Sequence, residues 1–409
     1  MINTPAAEQI KIVLFGLRNS GKSSLINNLF EREVAIVSPH AGTTTDPVTK
    51  SIELGNLGPV LVTDTAGLDD TGELGNLRVK QSLEHLKIAD ISILVTRADL
   101  LPSESENFSI NYLFERNKKI IPAVTFADKN FLEDKKEWLE KNNLKPYVMI
   151  NNLNREGIEE LKRLLIQFSE SIKPEMTPVE GLVNENDLVL LVVPIDLAAP
   201  KGRLILPQVE TIRDLLDRDC AALIVKEREL EYFYSNLKIK PKLVITDSQA
   251  FNKVASYIPE DQPLTSFSIL FARKKWDFTY FIKSFSKLKK LPEKCRVLIL
   301  EACSHHRQAD DIGTVKIPRL FRQLIKPQAE FDFLHALPPQ KELKKFDLLI
   351  SCGGCMISQN RGISYIEELK QLNIPAINYG LFLAYVNGLL PRALKPFPLE
   401  YEIYKREIL

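Results

Sequence analysis

Cys303-Ser304-His305 and Cys352-Gly353-Gly354-Cys355 put three thiols and an imidazole into two short runs near the C-terminus. Thiolates and imidazoles are ligands for zinc and for iron–sulfur clusters. The two glycines let the backbone turn tightly, so that Cys352 and Cys355 can face one metal. Far upstream, Gly16 to Ser23 reads GLRNSGKS and fits G-x-x-x-x-G-K-[ST] in full. In such a loop, backbone N–H groups and the N-terminus of the following helix hold nucleotide phosphates. Gly16, Ser20, Gly21 and Ser24 belong to that cradle. Lys22 is expected to reach the β- and γ-phosphates, and the Ser23 hydroxyl to bind Mg²⁺. A chain that carries both constellations couples a nucleotide switch to metal chemistry.

Two further motifs follow in the order a nucleotide switch needs. Asp64-Thr65-Ala66-Gly67 offers a carboxylate that can hold Mg²⁺ through water and a glycine N–H that can sense the γ-phosphate. Gly42-Thr43-Thr44-Thr45-Asp46 lies between the two, where a switch threonine, Thr44, completes the metal shell.

These residues must be positioned by alternating strands and helices. The chain has 409 residues, too many for one ordinary core, so two or three domains are expected. With 44% hydrophobic and 26% charged residues it has the composition of a globular protein. A net charge of +1 gives no basic bias, so nucleic acid is not an expected partner. No apolar run approaches a membrane span, and the first residues lack the pattern of a signal peptide, so a cytoplasmic, reducing location is expected. Five cysteines there are free to act as ligands.

Short apolar runs at 11–15, 60–63, 91–95, 120–124 and 147–150 read as buried parallel strands, with helices at 76–86, 131–141 and 158–168. A second stretch reads as strands at 188–194, 221–225, 243–246 and 265–271, with helices at 208–216, 228–237 and 250–258. A third reads as a helix at 276–291, a strand at 296–302, a helix at 317–325 and strands at 330–334, 347–350 and 374–378. The expected fold is α/β with three domains: a P-loop domain at 1–172, then two smaller α/β domains with mainly parallel sheets at 175–273 and 274–409.

Cys303 and His305 directly follow one predicted strand of the third stretch, and Cys352 and Cys355 follow another. Ligand sites in open parallel sheets lie at the carboxyl ends of strands, so two strands can deliver three thiolates to one point. Cys295, at the start of its strand, is excluded. Three readings stay open at this level: a zinc site of three cysteines and one histidine, a redox pair of Cys352 and Cys355 alone, or an iron–sulfur cluster on three cysteines with one weakly held iron.

The P-loop, threonine switch and DTAG in this order resemble the GTPases of the Era and TrmE kind. That resemblance implies a K⁺ site built on Asn19 and the Gly-Thr-Thr switch, where a cation neutralises charge in the transition state in place of an arginine finger. The guanine-reading motif of those GTPases, Asn-Lys-x-Asp, corresponds here to Thr125-Phe126-Ala127-Asp128. Asp128 keeps the carboxylate for the N1 and exocyclic amine of guanine; the asparagine and lysine are gone. Leu68 stands where Ras-like proteins have the water-orienting glutamine, with Asp69, Asp70 and Glu73 nearby, so slow hydrolysis is expected.

The whole chain resembles the HydF family, GTPases that take part in maturing FeFe hydrogenases. The family pattern is an N-terminal GTPase, a middle dimerisation domain, and a C-terminal domain with Cys-x-His, a long gap, and His-Cys-x-x-Cys. Asn378-Tyr379-Gly380 and Pro391-Arg392-Ala393-Leu394 add to the likeness. The resemblance implies GTP with Mg²⁺ and K⁺, and a 4Fe–4S cluster on Cys303, Cys352 and Cys355, with His305 as a further ligand or neighbour. It also implies a diiron precursor as cargo, a homodimer or tetramer, and radical-SAM maturation enzymes and apo FeFe hydrogenase as partners. Ser351 replaces the histidine of the pattern and cannot serve as an imidazole ligand, which leaves the fourth ligand undetermined. A different class of function, an RNA- or ribosome-associated GTPase with a structural zinc domain, is the alternative.

Overall fold

A computed structural model describes residues 6–29, 48–54, 58–69, 72–170, 172, 175–194, 204–302 and 311–408. It divides into two compact units, Met1–Pro174 and Glu175–Leu409.

The first unit is a six-stranded sheet. Its strands are β1 (Ile10–Phe15), β2 (Val48–Glu53), β3 (Pro59–Asp64), β4 (Ile91–Arg97), β5 (Lys119–Thr125) and β6 (Val148–Ile150), in the order β2-β3-β1-β4-β5-β6. All pairs are parallel except β2 with β3. β2 reads VTKSIE and has no apolar run to reveal it in the sequence. It forms by register on β3, Val48 opposite Asp64, with polar cross-strand pairs such as Thr49 and Thr63, whose hydroxyls lie 3.0 Å apart. Helices cover both faces, and the buried residues of the sheet divide between two apolar clusters.

The helix at Glu104–Phe114 begins with a capping box: Glu106 N–H donates to Ser103 Oγ, and Ser103 N–H donates to Glu106 Oε2. Glu106 does more than cap. Its Oε1 accepts from Thr96 Oγ1 at 2.5 Å, and Lys135 Nζ lies 3.5 Å from its Oε2. Both charged side chains are 1% exposed. Burial lowers the pKa of Lys135 against the opposing pull of Glu106.

The second unit holds two four-stranded, wholly parallel sheets. One has β7 (Leu188–Val192), β8 (Ala221–Val225), β9 (Leu243–Thr246) and β10 (Leu264–Ser266) in the order β10-β9-β7-β8. The other has β11 (Arg296–Leu300), β12 (Glu330–Leu334), β13 (Leu348–Ser351) and β14 (Ala376–Asn378) in the order β12-β11-β13-β14. One continuous apolar core joins them. The strand expected at 265–271 is a correction: β10 ends at Ser266, and Phe267–Lys275 is a helix. Ser266 caps it by accepting from Ile269 N–H, and a run as short as TSFSILF does not distinguish a buried strand from a buried helix. Arg392, in the PRAL segment, donates to the carbonyls of Ala255 and Ile258 and so ties the C-terminal part to the helix under β10. No helix among the described residues is long and apolar enough to cross a membrane.

Candidate functional site

The nucleotide site lies at the carboxyl ends of β1 and β3. Asn19 takes a left-handed φ of 55° in the turn between β1 and the helix Lys22–Leu29. Lys22 is buried, and its ammonium donates to the carbonyls of Gly16 at 3.0 Å and Leu17 at 2.7 Å, which arches the loop around its own cation. Ser23 Oγ donates to Asp64 Oδ2 at 2.7 Å, so the two expected magnesium groups already meet. Ser20 Oγ and Asp64 Oδ1 are buried without a partner among the described residues. Buried polar atoms left unpaired are costly, and a bound nucleotide with its metal would satisfy both. Ser24 is exposed at the start of the helix.

The DTAG turn packs directly on the P-loop. Leu68 N–H donates to Gly16 O at 3.2 Å, and a Cβ on Gly67 would press into the Arg18 side chain and lie 2.9 Å from Arg18 N. Asp69 accepts from Arg18 N–H at 2.7 Å, so its carboxylate serves the P-loop backbone in this state. Thr44 and Asp70 lie outside the described residues.

The loops after β5 and β6 complete the rim. Thr125 Oγ1 donates to Ser20 O at 2.6 Å, and Asn152 Nδ2 to Gly21 O at 3.3 Å. Both tether a loop to the phosphate cradle, and each joins residues over 100 positions apart, a pairing that leaves no local signal in the sequence. Asp128 is a third exposed, with Lys129 Nζ 3.9 Å away.

In the second unit, Cys352 and Cys355 are half-buried on the turn after β13. Cys352 N–H donates to Leu300 O at 3.0 Å, continuing the β11–β13 ladder, and Ala302 N–H donates to Cys352 Sγ at 3.4 Å. The sulfur of Cys352 thus sits beside the residue that precedes Cys303. Cys303 and His305 themselves lie outside the described residues. Among the described residues, no group of three or more His, Cys, Asp or Glu side chains is gathered for a metal.

The surroundings are buried and polar. Gly354 has φ +76° and lies against Trp276, whose indole N–H is buried with no partner among the described residues. Ser351, at the end of β13, is fully buried, and its hydroxyl is likewise unpartnered. Glu301 follows β11; its carboxylate accepts from Tyr379 OH at 3.2 Å, and its carbonyl meets His335 Nδ1 at 2.9 Å. Burial raises the Tyr379 pKa well above the usual phenol value, reinforced by Glu301 and Cys352. Asn378 caps the helix Tyr379–Val386, its side chain accepting from Gly380 and Leu381 N–H. Burial also pushes the thiols of Cys220 and Cys295 up, so neither favours the thiolate a metal requires.

Three family models match the chain. One described as a 50S ribosome-binding GTPase covers residues 11–126, the hydrogen maturase F dimerization domain covers 179–276, and the hydrogen maturase F tetramerization domain covers 279–396. The last two together span more than half of the chain. Among curated relatives, the tRNA modification GTPase MnmE of Nitrosomonas europaea is 36% identical over 39% of this chain and 35% of its own length. MnmE of Rickettsia canadensis is 28% identical over 44% of each chain. A solved structure of Era with MgGDPNP and a segment of 16S ribosomal RNA is 26% identical, covering 39% of this chain and 57% of its own, with a TM-score of 0.34. The chain thus spans less than half the length of these curated relatives.

Proposed function

This chain belongs to the hydrogen maturase F family, and we propose that it is a GTP-hydrolysing switch that carries an iron–sulfur cluster for assembling the diiron unit of FeFe hydrogenase. The observation that carries this reading is the coincidence on one chain of a P-loop with unpaired Ser20 and Asp64 atoms and a Cys352 sulfur held at the end of β11.

On this reading residues 1–172 bind and hydrolyse GTP, 175–273 dimerise, and 274–409 hold the cluster. Gly16, Ser20, Gly21, Lys22 and Ser24 take the phosphates, Ser23 and Asp64 take Mg²⁺, and Asp128 reads the base. Gly67 senses the γ-phosphate, and Asn19 and Thr44 hold K⁺ and the metal shell. Lys22 must exchange its two carbonyl acceptors for phosphate oxygens, and that exchange couples nucleotide binding to the shape of the loop. Ordering of the switches then changes contacts with partners, which timing by slow hydrolysis would reset.

Cys303, Cys352 and Cys355 would hold the cluster, with His305 beside them. Support comes from the described part of the donor set: Cys352 and Cys355 share one turn after β13, Ala302 N–H donates to the Cys352 sulfur, and the buried Trp276 and Ser351 polar atoms beside it have no partner among the described residues. When bound, a 4Fe–4S cluster supplies an iron that the three thiolates leave open to an exchangeable ligand. The diiron precursor is cargo. Radical-SAM maturation enzymes and the apo-hydrogenase are the partners, met in the cytoplasm by a dimer or tetramer.

GTP turnover by the purified full chain, in K⁺ and in Na⁺ buffers, tests the switch. Faster turnover in K⁺, lost in Asn19→Ala, is expected, with no GTP binding by Lys22→Ala. Equal rates in the two salts would remove the K⁺ site, and no GTP binding by the parent would remove the switch.

A further inference from the structure

The loops after β5 and β6 hold a second set of residues that the phosphate chemistry does not use. Tethered by Thr125 to Ser20 O and by Asn152 to Gly21 O, they adjoin the phosphate cradle. A nucleotide whose phosphates lie in Gly16–Ser23 thus has these loops within reach of its base. What they offer there is an aromatic ring. Phe126 adopts a left-handed φ of 57°, a conformation that an aromatic residue rarely takes and that holds only when the surroundings fix it.

Backbone hydrogen bonds from Ala127 N–H to Ile150 O at 3.2 Å and from Lys129 N–H to Phe126 O at 2.9 Å hold that turn, and a side-chain contact holds the ring. The Arg97 guanidinium stacks on one face of the Phe126 ring, 3.9 Å from Cζ to centroid. Asp99 in turn holds that guanidinium in plane, accepting from Nε at 2.9 Å and Nη2 at 2.8 Å, and this pairing raises the Arg97 pKa and lowers that of Asp99. Arg97 takes one face of the ring, and among the described residues no second aromatic ring or cation stacks on Phe126. Phe126 is half-buried, and Leu153, on the neighbouring loop, is 88% exposed although apolar.

We propose that Phe126, locked by Arg97 and Asp99, is the stacking platform for the purine base and supplies affinity that the absent lysine of the usual motif would have given. The proposal rests on the nucleotide reading above. Stacking is tolerant of base identity because every purine has a π-face. Discrimination therefore falls to Asp128, while Phe126 sets the strength of binding.

Calorimetric titration of the full chain with GDP and with UDP tests this. Phe126→Ala is expected to weaken GDP about 10- to 100-fold, and UDP, whose smaller ring stacks less, by a clearly smaller factor. Phe126→Trp is expected to keep GDP affinity and to show its indole emission quenched as GDP binds. Lys22→Ala should weaken both nucleotides alike. GDP binding by Phe126→Ala at parental affinity, or indole emission in Phe126→Trp that is indifferent to GDP, would overturn the platform while leaving the phosphate site standing. Absence of GDP binding by the parent would overturn the nucleotide reading and the platform with it.

Discussion

At the scale of residues, two glycines carry requirements that can be tested separately. A Cβ on Gly67 meets the backbone nitrogen of Arg18 at 2.9 Å, so Gly67→Ala must push the DTAG turn off the P-loop. Misplacement of about 1 Å can cost a hundredfold in rate. A fall of about tenfold or more in kcat/KM for GTP is the expected outcome of steady-state assays, with the iron content unchanged; a parental kcat/KM would contradict it. Gly354 is different. Its φ of +76° and the 2.7 Å from an added Cβ to Trp276 Nε1 make the turn between Cys352 and Cys355 intolerant of a side chain. Gly354→Ala should lower iron bound per chain after reconstitution and leave GTP affinity at the parental value. Iron at parental stoichiometry would show that the turn does not position the thiols. The two variants together assign each glycine to its own chemistry.

At the scale of elements, the buried network of Thr96, Glu106 and Lys135 binds β4 to the helices Glu104–Phe114 and Glu133–Lys141. Removing one partner of a buried pair leaves an uncompensated charge, at a cost of about 3–5 kcal/mol. Glu106→Ala also removes half of a capping box, so the first urea transition of the full chain should move to clearly lower denaturant. A loss under about 1 kcal/mol would mean that Lys135 finds water or another acceptor.

The elements also show what the sequence could reveal. Strands β1, β4, β5 and β11 were legible because each contains a short apolar run buried on both faces. β2 was not, because an edge strand with one polar face has no such run. The helix Phe267–Lys275 hid inside an apolar run because its cap, Ser266, is also the last residue of β10. The P-loop was legible since its chemistry is contiguous. The anchoring of Thr125 on Ser20, the covering of Phe126 by Arg97 and the donation from Ala302 to Cys352 were not, since each arises only when distant strands pair.

At the scale of the whole molecule, the chain joins a GTPase domain to the two oligomerisation domains of hydrogen maturase F. β8 and β12 are edge strands of their sheets, and part of their apolar surface is exposed, including Ile224 and Phe333. Such edges call for a partner strand or surface. Analytical ultracentrifugation should find a dimer or larger, and a monomer at micromolar concentration would contradict it. On the function proposed above, this assembly holds an iron–sulfur cluster on Cys303, Cys352 and Cys355. Anaerobic reconstitution of the full chain with iron and sulfide, followed by metal analysis and visible absorption, tests it most directly. The expected result is about four iron per chain with a charge-transfer band near roughly 400 nm, both lost in Cys352→Ala. Stoichiometric zinc with no such band would contradict it.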